Sequence, residues 1–487
     1  MGQAQDRDLH QVVSERATLF GPGPAYSRLL RYKSGPEVQL PSMAVECNLC
    51  ESWRVVDPLT YEFRLHPDAQ WQGVEGFSGR PVTANDVAFS LERLRTPDWP
   101  HATLLAAVRD IAAVDERTIR LTLRYPDPEL PQALANPHAI VVAPEIAQAA
   151  QADGLSQGPV AGSGPWRWEE RASGQMDLTA FEGYHRPGVP KLSGIQMLLV
   201  DTLEQGATLL VLRQVDIAQV PEEKWSELEA QGFRSRLLPR QGNGLMLALN
   251  AASPPLDRLE VRQALLLSLD PAAALVEVWD GLGRVGVGVP VVEPGWLLDG
   301  DELAGYFAQP ARAKRLLTDT QKTPVPLTLT VANFGDRYVE YGRRVAEQLT
   351  GAGFRVTVET LSRSQYLAAV WQEKGFQVFV GPPPPMSSAN SFLLPLLHSE
   401  GQWHITGHED QQLDRLIEEQ STEMDAARRG ELLRQIQSRV LEQGLLFMPV
   451  ITVERWAYSS KVTDFHPNLA AGDGDFWRMV GVDEDAE

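Results

Sequence analysis

The sequence predicts an α/β chain folded into two lobes, and three observations carry that reading. Apolar residues alternate between the two-residue period of strands and the 3.6-residue period of helices over most of the chain. The stretch Arg240–Asp270 ends a strand, bends and starts a helix, as suits a crossing between lobes. The length, 487 residues, allows about three structural units.

Taken in order, residues 1–40 are loop-rich, with Gly21-Pro22-Gly23-Pro24 ahead of Tyr26–Tyr32. Ser52–Val56 and Leu59–Pro67 alternate apolar and polar residues on either side of Asp57-Pro58, which predicts strand, turn, strand. Thr83 is placed to cap a helix, with Asp86 at the third helical position, where a carboxylate suits the positive helix end. Thr96–Ala102 is a loop that holds Trp99 between two prolines. Asp110–Asp115 and Thr118–Tyr125 alternate again. Gly162-Ser163-Gly164 could cradle a phosphate only ahead of a helix carrying Lys and Ser or Thr; Pro165-Trp166 start a strand instead, so no nucleotide loop is expected. Ile195–Val200, Thr202–Leu212 and Gln214–Ile217 read as strand, helix, strand, a parallel α/β unit.

At the crossing, Gly244–Asn250 reads as a buried strand behind a Gly-Asn-Gly bend. Asp257 is placed to cap a helix carrying Leu259, Val261, Ala264, Leu265, Leu267 and Leu269. Beyond it, strands at Leu327–Val331, Phe354–Thr360 and Phe376–Val380 alternate with helical patterns at Tyr338–Leu349 and Tyr366–Trp371. Two long helical patterns, 410–420 and 425–443, precede apolar strands at Leu445–Tyr458.

With 44 Lys plus Arg against 64 Asp plus Glu, the net charge of −20 argues against a phosphate-binding face, and no nucleic-acid partner is expected. The longest apolar run, Gly444–Val453, is too short for a membrane helix and contains Pro449. The start, MGQAQDRDLHQ, lacks the basic and apolar regions of a signal peptide, so either the chain is cytosolic or its export segment is missing from this sequence.

Catalytic patterns are not found. His398, His404 and His408 are interrupted by Gly401 and Gly407, so no helix face fixes two imidazoles; a polar loop is expected rather than a metal site. Gly283, Gly286 and Gly288 lack the strand-to-helix context of a dinucleotide fingerprint, and no Gly-x-Ser-x-Gly elbow occurs. Neither enzyme activity nor a cofactor is expected. The two cysteines, Cys47 and Cys50, read as a local disulfide, as two free thiols, or as a redox or metal pair; no second pair completes a zinc site.

Several blocks together resemble one family. Ser52–Pro67, Gly79–Val87 with Phe89-Ser90, Gly162–Trp168, Gly183–Leu192, Gln214–Ile217, Asn250 with Pro254-Pro255, Asp257 and Val261–Ala264, and Tyr306–Leu317 occur in the order of the family 5 extracellular solute-binding proteins, the dipeptide and oligopeptide type of ABC importers. The resemblance runs from about Tyr26 to Phe465. It implies a type II periplasmic-binding-protein fold, two lobes with a hinged cleft plus an extra N-terminal subdomain. Lobe I is then expected from 1–40, 159–243 and 451–487, the extra subdomain from 41–158, and lobe II from 244–450.

The resemblance further implies a peptide or peptide-like solute, a membrane permease as partner, a monomer, and a periplasmic or lipid-anchored location. Other readings are a non-peptide solute such as an oligosaccharide, amine or metal complex, or a cytosolic ligand-sensing domain. A strand and a long loop usually precede Tyr26 in the family, so an N-terminus further upstream is expected. Candidate cleft residues are Trp99, Tyr366, Trp371, Gly381 and Trp403, with Asn390 as hydrogen-bonding partner; each aromatic reads equally as packing. Cys47 and Cys50 are expected to form a disulfide. After Gly381, where peptide-binding relatives carry a tryptophan and an aspartate for the peptide amino terminus, this chain has Pro382–Pro385.

Overall fold

The computed structural model describes residues 7–149, 154–156, 158–171, 175–320, 324–384 and 386–485. The start of the chain, read above for an export signal, lies outside them for residues 1–6, as does Pro385 of the proline run. The chain divides into two compact units, residues 1–238 with 454–487, and residues 239–453. The chain passes from unit 1 to unit 2 within the strand Arg234–Leu249 and returns within the strand Leu446–Tyr458.

Unit 1 holds a four-stranded antiparallel sheet in the order Cys50–Asp57, Thr60–Leu65, Thr118–Leu123, Val108–Ala113. The helix Ala84–Leu94 buries Val87, Leu91 and Leu94. Its first turn is the expected capping box, with the Thr83 side chain accepting from the Asp86 amide and Asp86 accepting from the Thr83 amide at 2.8 Å. A three-stranded sheet follows: Trp166–Glu170, Met176–Ala180, Gly194–Met197. The glycines before it serve packing, since a Cβ on Gly162 would collide with the Ala25 carbonyl. The helix Leu203–Val211, capped by Thr202, then leads to the short strand Ile217–Gln219.

Unit 2 is built on the sheet order Leu446–Tyr458, Arg234–Leu249, Val378–Gly381, Val325–Ala332, Phe354–Leu361. The last three strands run parallel, and Val378–Gly381 pairs antiparallel with Met246–Leu249. Burial explains the near-continuous apolar character of the central strands: Met246, Leu247, Ala248 and Leu249 are all at 0% exposure. The helices Asp336–Ala352, Gln411–Thr422 and Ala426–Glu442 carry amphipathic stripes into this core.

Two expectations are corrected. Asp257 caps nothing: the chain turns on through Arg258, whose amide donates to Pro255, and the helix Leu259–Ser268 has Arg258 at its uncapped N-terminus. The strands Gly194–Met197 and Ile217–Gln219 belong to different sheets rather than to one parallel unit. Among the described residues no helix is long and apolar enough to cross a membrane.

Candidate functional site

In open α/β sheets, the loops beyond the carboxyl ends of parallel strands are where ligands meet helix N-termini and free main-chain groups. In unit 2 these ends are Ala332, Leu361 and Gly381. Three helices start just beyond, at Asp336, Arg363 and Ala389. The antiparallel partner brings Met246 opposite Gly381, so Gly244 lies near the same edge, and the Tyr338 hydroxyl donates to the Gly244 carbonyl at 3.3 Å.

Tyr366 and Gly381, both candidates from the sequence, come together here. Tyr366 is fully buried, edge-on to Phe334 and Phe379, and its hydroxyl donates to the Pro382 carbonyl at 3.1 Å. Burial pushes the Tyr366 and Tyr338 hydroxyls up from their ordinary range, so both remain donors. The contacts of Tyr366 are those of a core residue that fixes the segment after Gly381. That segment offers little to an extended peptide: Pro382, Pro383 and Pro384 have no amide hydrogens, and one carbonyl is taken.

The remaining candidates are dispersed. Trp371 lies half-buried in the π-helical turn Leu367–Gln372, edge-on to Phe379. Asn390 accepts from the Gln420 amide at 2.7 Å and donates to the Ser421 carbonyl at 3.3 Å, which ties one helix start to the end of another. Trp403 is 37% exposed. Trp99, in unit 1, is half-buried under the Arg93 guanidinium, 4.6 Å from its ring centre, with His10 beside it. Arg93 also donates to Asp8 and lies 2.8 Å from His10, so the loop is fastened to the N-terminal segment.

Two charged features were not anticipated from the sequence. Arg284 is half-buried in unit 2, opposite Ile451 in the pairing of Arg284–Gly286 with Leu446–Tyr458, and has no ion-pair partner among the described residues. Burial lowers its pKa to about 10. Flanking Gly283 and Gly286 were the only signal, and they suggested a loop.

The second is a closed ionic cluster in unit 1 around the Cys47–Cys50 disulfide, whose Cα atoms are 5.0 Å apart. Arg28 pairs with Asp475 and, at 3.4 Å, with Asp473; Arg31 and Arg478 share Glu46 at 2.7 and 3.3 Å; and His185 meets the Asn48 carbonyl at 3.0 Å. Burial pushes the Asp473 carboxyl up to about 6, against the pull of Arg28. Asp475, facing three arginines, stays below the ordinary range despite burial. Most of the polar atoms of these groups pair within the cluster, while Arg28 Nε and His185 Nδ1 are buried without a hydrogen-bond partner.

The histidine loop is a polar one. His404 and His408 share a 3.1 Å contact, His408 also meets Thr406, and His398 meets Glu418 at 3.3 Å. No group of three metal-ligating residues occurs among the described residues.

Comparison with known proteins agrees with this arrangement. The family profile described as bacterial extracellular solute-binding proteins, family 5 Middle, matches residues 44–403. Heme-binding protein A of Haemophilus influenzae is 26% identical over 323 residues, a match covering 60% of this chain and 56% of that protein. Di/tripeptide-binding protein 1 of Pseudomonas aeruginosa is 24% identical over 456 residues, covering 86% of this chain and 81% of that protein. Among solved structures, HbpA2 from Haemophilus parasuis superposes with a TM-score of 0.84 at 19% identity, covering 99% of this chain and 98% of that one. Profile, relatives and fold agree: the chain belongs to the family 5 bacterial extracellular solute-binding proteins, the binding components of ABC importers.

Proposed function

We propose that the protein captures a peptide-like solute carrying a free carboxylate and delivers it to a membrane permease. The observation that carries the carboxylate is Arg284, a guanidinium partly withdrawn from water with no counter-ion among the described residues. A charge held that way is stabilised when an anionic ligand arrives. In unit 2, Trp371 and Trp403 supply apolar faces for the solute, Asn390 a hydrogen bond, and Tyr366 with Gly381 the shape of the edge; in unit 1, taken by itself, Trp99 is the candidate apolar face. The site works by binding, without turnover, and the protein acts as a monomer outside the cytoplasm with no nucleic-acid partner.

The proline segment supports a ligand whose amino terminus is not the anchor, because the family's aspartate is replaced at this point. Thermal-shift titration with di- to pentapeptides, each also acetylated or carboxy-amidated, separates the two ends. A shift that survives acetylation and disappears on amidation is expected, since only ligands bound to the folded state raise the melting temperature. A shift abolished by acetylation alone would overturn the assignment.

The same prolines, and a heme-binding relative, favour a second reading in which the solute is a non-peptide such as an oligosaccharide, amine or metal complex. A shift with such compounds and none with any peptide would select it.

A further inference from the structure

Three segments of unit 1 meet around a cavity of about 360 Å³: the loop Ser34–Leu40, the strand end Ser235–Leu238 and the segment His466–Asn468. No residue assigned above to the solute lines it. Main-chain clamps set its shape. The Gly35 amide donates to the His466 carbonyl at 3.2 Å, from a backbone conformation at φ 132° that favours glycine, and the Val38 amide turns back to the Gly35 carbonyl at 3.2 Å. Asn468 Nδ2 donates to the Lys33 carbonyl at 2.8 Å and to the Ser42 carbonyl at 3.0 Å, one on each side of the loop. The loop is thus fixed at both ends and near its middle, which preforms the space.

Two of the lining residues lack the partner that their position calls for. Ser34 Oγ is buried without a hydrogen-bond partner, a state that costs free energy until another polar atom reaches it. Arg236 is half-buried and makes no ion pair among the described residues. Its Nε donates to the Phe465 carbonyl at 2.6 Å and one Nη to His466 Nε2 at 3.3 Å, which fixes the guanidinium plane and leaves its other N–H groups for an anion. The imidazole that accepts there is neutral, with its hydrogen on Nδ1. The neighbouring acids are otherwise placed: Asp464 pairs with Lys191 at 2.6 Å, and Glu37 is exposed and does not line the cavity. Arg455 offers a contrast, since it donates to Ser235 Oγ at 2.7 Å and has Glu222 as its counter-ion.

We propose that this cavity is a second ligand site and takes a small monocarboxylate with a short branched aliphatic tail. The carboxylate accepts from the Arg236 guanidinium and from Ser34 Oγ, a charge-assisted pairing that gives both groups the partner they lack. The tail lies against Val38, Leu40, Leu237 and Leu238, with Pro36 and Pro467 beside them.

The charge of the ligand follows from the donors. Arg236 is the single charged cation lining the space among the described residues, and it matches one negative charge. A phosphate dianion would need further donors for its remaining oxygens. Pro36 and Pro467 have no amide hydrogen, and the amides of Gly35 and Val38 are already engaged. Once bound, the carboxylate ties the strand end Ser235–Leu238 to the loop and to the segment His466–Asn468. Those strand residues are the last of unit 1 before the chain enters unit 2, so occupancy stiffens the point at which the chain leaves the first unit. None of this depends on which solute Arg284 serves.

The test is titration calorimetry of the full chain with isovalerate, its neutral isostere isovaleramide, and inorganic phosphate. The expected result is one equivalent of isovalerate bound, with isovaleramide weaker on the order of 30-fold and phosphate weaker than isovalerate. Ser34→Ala removes only a hydroxyl that has no partner and should weaken isovalerate about tenfold; Arg236→Gln should weaken it on the order of 100-fold. Arg284→Met should leave isovalerate binding unchanged, whatever it does to peptides. No saturable binding, equal affinity for acid and amide, or wild-type affinity in Ser34→Ala or Arg236→Gln overturns the proposal. Phosphate bound more tightly than isovalerate overturns the ligand class, and loss of isovalerate binding in Arg284→Met places the acid at the solute site and overturns the second one. Should Arg236→Gln not fold, Ser34→Ala decides.

Discussion

The Tyr366 ring occupies the space that a side chain on Gly381 would need. A Cβ at Gly381 would lie 2.5 Å from the Tyr366 hydroxyl oxygen, while that hydroxyl holds the next carbonyl at 3.1 Å. The ring is fully buried. Gly381→Ala is therefore expected to destabilise unit 2 by about 1–3 kcal/mol, the usual penalty of overpacking. Tyr366→Phe, which keeps the ring and removes the bond, should lose only about 0.5–1.5 kcal/mol. Urea unfolding of both variants checks this order, and a Gly381→Ala midpoint equal to wild type would refute it.

Asp473 should give a measurable pH dependence. Its folded-state pKa, about 6, lies above the ordinary value of 3.8, so the folded chain binds this proton more tightly than the unfolded chain. The stability it contributes is fully present below pH 3.8 and is lost as pH rises through 6. The loss is about 3 kcal/mol at most, at 1.36 kcal/mol per pKa unit. Asp473→Asn keeps an acceptor for the Asp475 amide and should flatten the difference between denaturation midpoints at pH 4 and pH 7.5. Parallel pH profiles for the variant and wild type would contradict the assignment.

The α/β alternation, the Thr83–Asp86 capping box and the crossing strand were legible in the sequence because each is set by residues a few positions apart. Asp257 misleads for a local reason too: the Pro254-Pro255 turn carries on through Arg258 before the helix begins. Of the candidate site, the joining of Gly381 to Tyr366 and the burial of Arg284 could not be read. The first depends on the turn of a short helix against a strand end, the second on Met448 and Ile451, some 160 positions away. The split strand pair was equally hidden, since pairing between strands is not local. The aromatic candidates look alike in the sequence, yet they range from fully buried Tyr366 to exposed Trp403.

Replacing Arg284 should separate stability from binding. Arg284→Met removes a charge that has no counter-ion among the described residues and is expected to stabilise the ligand-free protein by about 1–3 kcal/mol. The same change should abolish the thermal shift produced by peptides with a free carboxylate. A variant that is less stable and binds normally would show that Arg284 serves packing alone.

Trp99→Ala tests the wall role in unit 1. Removing the ring exposes Arg93 and should cost about 0.5–1 kcal/mol from the cation–π contact. If Trp99 contacts solute, the affinity also falls by roughly tenfold, about 1.4 kcal/mol. Titration calorimetry giving an unchanged affinity with the fold intact leaves the ring as a staple for the N-terminal segment.

The Cys47–Cys50 bridge should titrate as no free thiols in denatured, unreduced protein and two after reduction. Because the loop it closes is short, its removal by Cys47→Ser with Cys50→Ser should cost about 2 kcal/mol in the loop-entropy picture. Two thiols before reduction would refute the bond.

The chain order of the two units bears on how the protein is made. Unit 2 is one continuous stretch, whereas unit 1 needs residues 454–487 to close it. Those last residues bring Trp456, Phe465 and Trp477 into its core and supply Asp473 and Asp475 to Arg28. At the usual rate of synthesis, unit 2 takes roughly 10–40 s to be added. Throughout that interval a growing chain carries an unfinished first unit, with Arg28 unneutralised and aromatic surface uncovered. The nascent protein therefore depends on being shielded until its final segment emerges, and a truncation of only the last few dozen residues would leave half of the molecule unable to mature.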